Sequence, residues 1–154
     1  MVALMDVREQ VDLDYARAHR RALVNRLASW VRRRCPELCP FEGARRELGA
    51  DNRRRLGLRT VRVDRIVGSV GRWREFDGGF MPTKANEGRW KRVDLAFRTG
   101  RDLPPVVLYK LGGGYYVVDG NHRVSVARFE GVEMIDADVT EFYPRRLDIP
   151  RAAA

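Results

Sequence analysis

Cysteine and histidine are scarce in this 154-residue chain: Cys35 and Cys39 are the only thiols, and His19 and His122 the only imidazoles. A structural zinc ion takes about four such ligands. Two thiols, each followed by a proline (Pro36 and Pro40) and with no second pair, therefore speak against a zinc site, and so few cysteines build no disulfide framework. No metal centre is expected. Long apolar runs are also missing. No stretch approaches the roughly 18 to 20 residues that cross a bilayer, and Met1 to Asp14 lacks the basic-then-apolar order of a signal peptide. The expectation is a cytoplasmic protein with no membrane association. Lysine is nearly absent as well: of 30 basic residues only Lys84, Lys91 and Lys110 are lysine. So strong a preference for arginine reflects either genome composition or a surface built for phosphate. The net charge is +9, and residues 1 to 59 carry 14 arginines against 8 acids. The excess lies mainly in the N-terminal third.

What is present organises into recognisable elements. Between Asp14 and Arg34 the apolar residues Tyr15, Leu23, Leu27, Trp30 and Val31 recur at helical spacings, with Asp12 or Asp14 as a cap. Arg17, Arg20, Arg21, Arg26 and Arg32 to Arg34 fill the rest. That pattern describes either an ordinary solvated basic face or a nucleic-acid contact, and Tyr15 and Trp30 would suit a homodimer contact through this helix. Pro36 and Pro40 end it. Phe41 to Leu48 suggests a short second helix, and a domain boundary is expected near Gly57. The organisation is then a basic helical segment over 1–56, a main domain over 57–143 and a tail over 144–154.

In the main domain, Thr60 to Val63 alternates as a strand and Asp64 starts a single helical turn. Gly71 to Asn86 lacks periodicity and reads as a long loop. Glu87 to Thr99 has the spacing of a helix stopped by Gly100. Val106 to Lys110 and Tyr115 to Asp119, joined by Gly112 to Gly114, form a β-hairpin. A helix from Asn121 to Glu130 and a strand from Glu133 to Thr140 complete it.

The junction Asp119-Gly120-Asn121-His122-Arg123 carries the chemistry. A helix starting directly after a strand points its unpaired N–H groups and positive dipole end beyond the strand, a geometry that suits phosphate. Gly120 allows close backbone approach, Asn121 can cap the helix, and Arg123 offers a planar fork of donors. His122 adds a group that exchanges protons near neutral pH. The bland alternative is an Asp-Gly turn ahead of a capped helix, which many folds contain.

The surrounding order raises the odds. Pro104-Pro105-Val106-Val107-Leu108, then Gly112 to Gly114, Tyr115 to Val118, the Asp119 to Arg123 turn, and Val124-Ser125-Val126-Ala127-Arg128 together resemble the ParB/sulfiredoxin superfamily. The likeness spans Thr60 to Phe142, about half of the chain. It implies an α+β fold, a small mixed sheet packed with helices, here preceded by the N-terminal helical segment. It also implies a nucleotide, CTP or ATP with or without magnesium, held through its phosphates by Gly120, Asn121, His122 and Arg123. By position, Arg89 and Arg92 on the preceding helix and Arg72 after the first strand would add contacts, with Lys91 a weaker candidate.

Departures from the family pattern narrow the function. Sulfiredoxins place a reactive cysteine directly before the His-Arg pair; here that position is Asn121, so sulfiredoxin activity is not expected. Chromosome-partition members follow this domain with a helix-turn-helix module, which the residues after Phe142 are too few to form. The expected function is a nucleotide-binding regulatory module, with DNA reached through the basic N-terminal helix. The alternative is an enzyme of the same fold, a phosphotransferase, kinase or nuclease, with Asp119 and His122 as catalytic groups and Glu75 or Asp77 in support.

Overall fold

A computed structural model of the chain describes residues 2–32, 38–83 and 86–145, with side chains described from residue 6 to 25 in the first of these stretches. The fold is α+β. Six strands form one mixed sheet in the order β1-β3-β5-β4-β6-β2. They are β1 (Cys39–Pro40), β2 (Asn52–Arg62), β3 (Ile66–Ser69), β4 (Val106–Leu111), β5 (Gly114–Asp119) and β6 (Met134–Tyr143). The helices are α1 (Val2–Arg32), α2 (Phe41–Glu47), α3 (Glu87–Arg98) and α4 (Asn121–Phe129). Among the described residues no helix is long and apolar enough to cross a membrane.

The hairpin stands as its sequence implied: β4 and β5 pair antiparallel from Val107↔Asp119 to Leu111↔Gly114. β5 is flanked on its other side by β3, in parallel. Period-two alternation sends Leu108, Val117, Ala137 and Val139 to the face covered by α4, where they meet Val61, Ile66, Phe76, Phe80 and Val124. On the opposite face Phe41 of α2 sits in an aromatic cluster, 5.1 Å from Tyr109, 5.4 Å from Tyr116 and 5.1 Å from Phe142 between ring centroids.

Three expectations need correcting. The boundary expected near Gly57 falls inside β2, an 11-residue strand that pairs with β6 from Asn52↔Tyr143 to Arg62↔Met134. Gly57, with φ +74°, accommodates the bulge at which the register shifts between Arg55 and Gly57. Residues 38–56 therefore belong to the sheet and its packing. The triplet Arg53 to Arg55 hid this strand because three successive charges break alternation. Arg54 and Arg55 are matched by carboxylates on β6, at 2.6 Å to Glu141 and 2.8 Å to Asp138.

Second, α1 begins well before Asp14, which lies inside the helix and is 1% exposed. Its buried face is Val11, Asp14, Tyr15, Ala18 and Ala22, while Leu23 is 48% exposed. The alanines, too small to read as core, let α1 lie close against α3. Third, Tyr15 is not available for a homodimer contact: it is buried edge-on against Trp90, 5.8 Å between centroids. Trp30, Arg26 and Arg32 to Arg34 fall outside the described side chains, as does Cys35.

The stretch from Gly71 to Asn86 is a loop as expected, among its described residues, but much of it is packed. It contains a 3-10 turn at Trp73–Glu75 and an antiparallel bridge between Phe76 and Pro82. Phe76 and Phe80 are 1% and 0% exposed and enter the main core. Phe80 holds a left-handed φ of +62°, a strain of about 1–3 kcal/mol that its burial offsets.

Candidate functional site

Packing of α3 on α4 sets the geometry. Trp90 is fully buried between them, its indole N–H donating to Ser125 Oγ at 2.8 Å, with Phe129 edge-on at 5.5 Å. A tryptophan anchored there leaves Arg89 and Arg92, one position before and two after, beside the N-terminus of α4. Arg72, Arg89, Arg92, Gly120, Asn121, His122 and Arg123 all line one cleft of about 350 Å3, with Asp119, Val93 and Val118. The structure thus brings together every residue expected to contact phosphate except the weaker candidate Lys91. That side chain turns away, paired with Asp12 at 2.8 Å and with Glu87.

At the base of the cleft, Gly120 precedes α4 with φ +106°. A Cβ there would lie 2.6 Å from Val106 Cγ1, so only glycine fits. The first helical bond runs from Val124 N to Gly120 O at 3.0 Å, and the N–H groups of Asn121, His122 and Arg123 have no helical acceptor. Gly120, not Asn121, is the cap residue, and no side chain caps the helix. Asn121 is instead the first helical residue, 5% exposed, with Oδ1 unpaired among the described residues.

His122 is half-buried beneath the edge of Phe76, 5.2 Å between centroids, and its buried Nε2 has no partner among the described residues. Burial pushes its pKa down to about 4; Glu75 pulls upward, and Arg72, Arg89 and Arg92 add to the depression. The imidazole is therefore neutral at pH 7. A neutral ring keeps one donor and one acceptor, and the surrounding arginines supply the positive potential.

Arg123 is engaged within the chain as well as lining the cleft. Its Nη1 donates to the carbonyls of Pro104 and, at 3.0 Å, of Pro105, and its Nη2 donates to Asp119 Oδ2 at 2.9 Å. The guanidinium staples the Pro-Pro entry of β4 to the end of β5, leaving fewer donors for a ligand. Asp119 is the other half of that staple and is 75% exposed at its side chain. Asp77 is corrected too: 2% exposed, it accepts from Asn25 Nδ2 and Gly79 N at 2.9 Å and from Met81 N at 2.8 Å, away from the cleft. Glu75 remains near it, paired with Arg72 at 3.2 Å and accepting from Asn86.

One buried polar group escaped sequence reasoning. Asp14 of α1, Asp94 of α3 and Glu130 after α4 bring carboxylate oxygens within 4.8 Å of one another. Arg98 joins them, 2.8 Å from Glu130, 3.5 Å from Asp94 and also paired to Asp14. As a carboxylate, Asp94 has no hydrogen-bond donor at either oxygen. Burial pushes its pKa up to about 7, with Glu130 and Asp14 adding to the rise and Arg98 opposing it. The i, i+4 pair Asp94 and Arg98 was the available signal, but Asp14 looked like a cap.

No protein-family model matches the chain, and no curated protein matches it. Among solved structures, a sulfiredoxin from Arabidopsis thaliana is similar over 53% of this chain and 82% of that one, at 18% identity and a TM-score of 0.40.

Proposed function

We propose that the chain is a nucleotide-binding module of the ParB/sulfiredoxin kind, holding the phosphates of CTP or ATP, with or without magnesium, at the N-terminus of α4. The observation that carries this is convergence: three arginines from two separate segments, Arg72, Arg89 and Arg92, meet the unpaired N–H groups of Asn121 to Arg123 in one cleft. Two buried polar atoms without partners, Asn121 Oδ1 and His122 Nε2, line the same place and suit a polar ligand. The Pro-Pro strand, the glycine turn and the Asp-Gly-x-His-Arg sequence support the family reading.

Binding is favoured over turnover. A general acid or base works best with a pKa near the operating pH, whereas His122 sits at about 4. Asp119 is occupied by Arg123. The enzymatic alternative, a phosphotransferase, kinase or nuclease, draws its support from Glu75, the carboxylate whose field reaches His122. Association with DNA through α1 is supported by the exposed Arg17, Arg20 and Arg21.

Calorimetric titration with CTP, ATP, ADP and GTP, with and without magnesium, tests the reading. Arg89→Ala removes a charge-assisted contact and should weaken binding by about tenfold to hundredfold. Absence of binding by any of the four nucleotides would sink it. Released phosphate, a phosphorylated small molecule or nicked DNA in the same mixtures would favour the enzymatic alternative.

A further inference from the structure

The cleft is open at Arg92. That residue also borders a furrow of about 510 Å3 between α1 and α3, lined by Arg8, Leu95, Ala96, Thr99 and Arg101. A smaller recess of about 230 Å3 adjoins it over Arg8, Val11, Asp12, Lys91 and Leu95. One guanidinium is thus a shared wall between the phosphate cleft and a groove leading away from it along α3. At 1.5 Å per residue, the stretch from Arg89 to Thr99 extends the track by about 15 Å.

The charges on this track are unspent. Lys91, on the neighbouring face of α3, is neutralised by Asp12 and Glu87. Arg8, Arg89, Arg92 and Arg101 make no ion pair among the described residues. The floor between them is aliphatic, Val11, Leu95 and Ala96. Cations along the sides and an apolar floor match a chain of phosphates bearing flat apolar groups. Helices packed with axes about 8–10 Å apart leave a furrow for one strand and not for a duplex. A mononucleotide would fill the cleft and leave Arg8 and Arg101 without an anion.

We propose that the furrow between α1 and α3 carries a single nucleic-acid strand whose end nucleotide occupies the phosphate cleft. This rests on the nucleotide-binding reading of the cleft. The test compares CTP with a single-stranded deoxycytidylate hexamer, each titrated against the full chain over a range of salt concentrations. The hexamer binds more tightly than CTP. In Arg8→Gln/Arg101→Gln, affinity for the hexamer falls and the slope of log affinity against log salt becomes shallower by about 1.4, the release expected from two lost phosphate contacts on a single strand. CTP binding is unchanged, which also shows that the variant is folded. Lysine at both positions restores the slope. Arg53→Gln/Arg59→Gln, exposed on β2 and outside the furrow, leaves it as in the wild type.

If the hexamer binds no better than CTP, or Arg8→Gln/Arg101→Gln leaves its slope intact, the furrow proposal fails while the nucleotide reading stands. An equal loss in Arg53→Gln/Arg59→Gln also overturns it, since the effect is then one of net charge. A chain that binds neither ligand overturns both.

Discussion

Arg123 shows how a motif residue can be engaged within the chain itself. Its side chain is 13% exposed and spans the Pro104 and Pro105 carbonyls and Asp119. Arg123→Ala should cost about 1.5–3 kcal/mol, the scale of hydrogen bonds from a charged donor, read as a lower urea midpoint. Arg89, exposed and unpaired, should behave in the opposite way, with Arg89→Ala weakening the nucleotide while leaving the midpoint within about 0.5 kcal/mol. If Arg123→Ala loses ligand without losing stability, its assignment as a staple is wrong. The pentapeptide was legible because Gly120 and the strand-to-helix switch are local features. The direction of the Arg123 fork was not, since its acceptors lie 18 and 19 residues back in the chain.

At the scale of elements, α3 and α4 form the unit that makes the cleft. Both were legible from spacing and their glycine stops, as was the β4–β5 hairpin. Their mutual docking was not, because it depends on Trp90 finding Ser125 and on Tyr15 arriving from α1. Trp90→Ala should destabilise by about 3–5 kcal/mol, and it should also weaken nucleotide binding, because Arg89 and Arg92 lose their anchor. A variant that unfolds more easily but binds CTP normally would separate the cleft from this packing. The segment from Gly71 to Asn86 shows the opposite case. It lacks periodicity, yet Asp77 collects three donors and Phe76 and Phe80 enter the core, so order there comes from partners distant in sequence.

Across the whole molecule, two titrating groups oppose one another. Asp94 holds its proton more tightly in the folded chain, so its contribution to stability is full below its ordinary value of 3.8 and is lost as pH rises toward about 7. His122 resists its proton, so its contribution is present above 6.5 and is lost as pH falls toward about 4. The two slopes partly cancel between these limits. Asp94→Asn should leave a stability that rises with pH across that window, and His122→Gln one that falls, both read from denaturation midpoints at a series of pH values. Identical profiles in the two variants would refute the assignment. By itself, the sequence determined the α+β class, the hairpin, α3, α4 and the strand-to-helix junction at Gly120, because each is written in short-range spacing and turn chemistry. Tertiary structure alone decided that β2 is a full edge strand, that α1 closes on α3, and that three carboxylates share Arg98. Those outcomes depend on which burials and ion pairs become available once the sheet has assembled, and no local pattern encodes them.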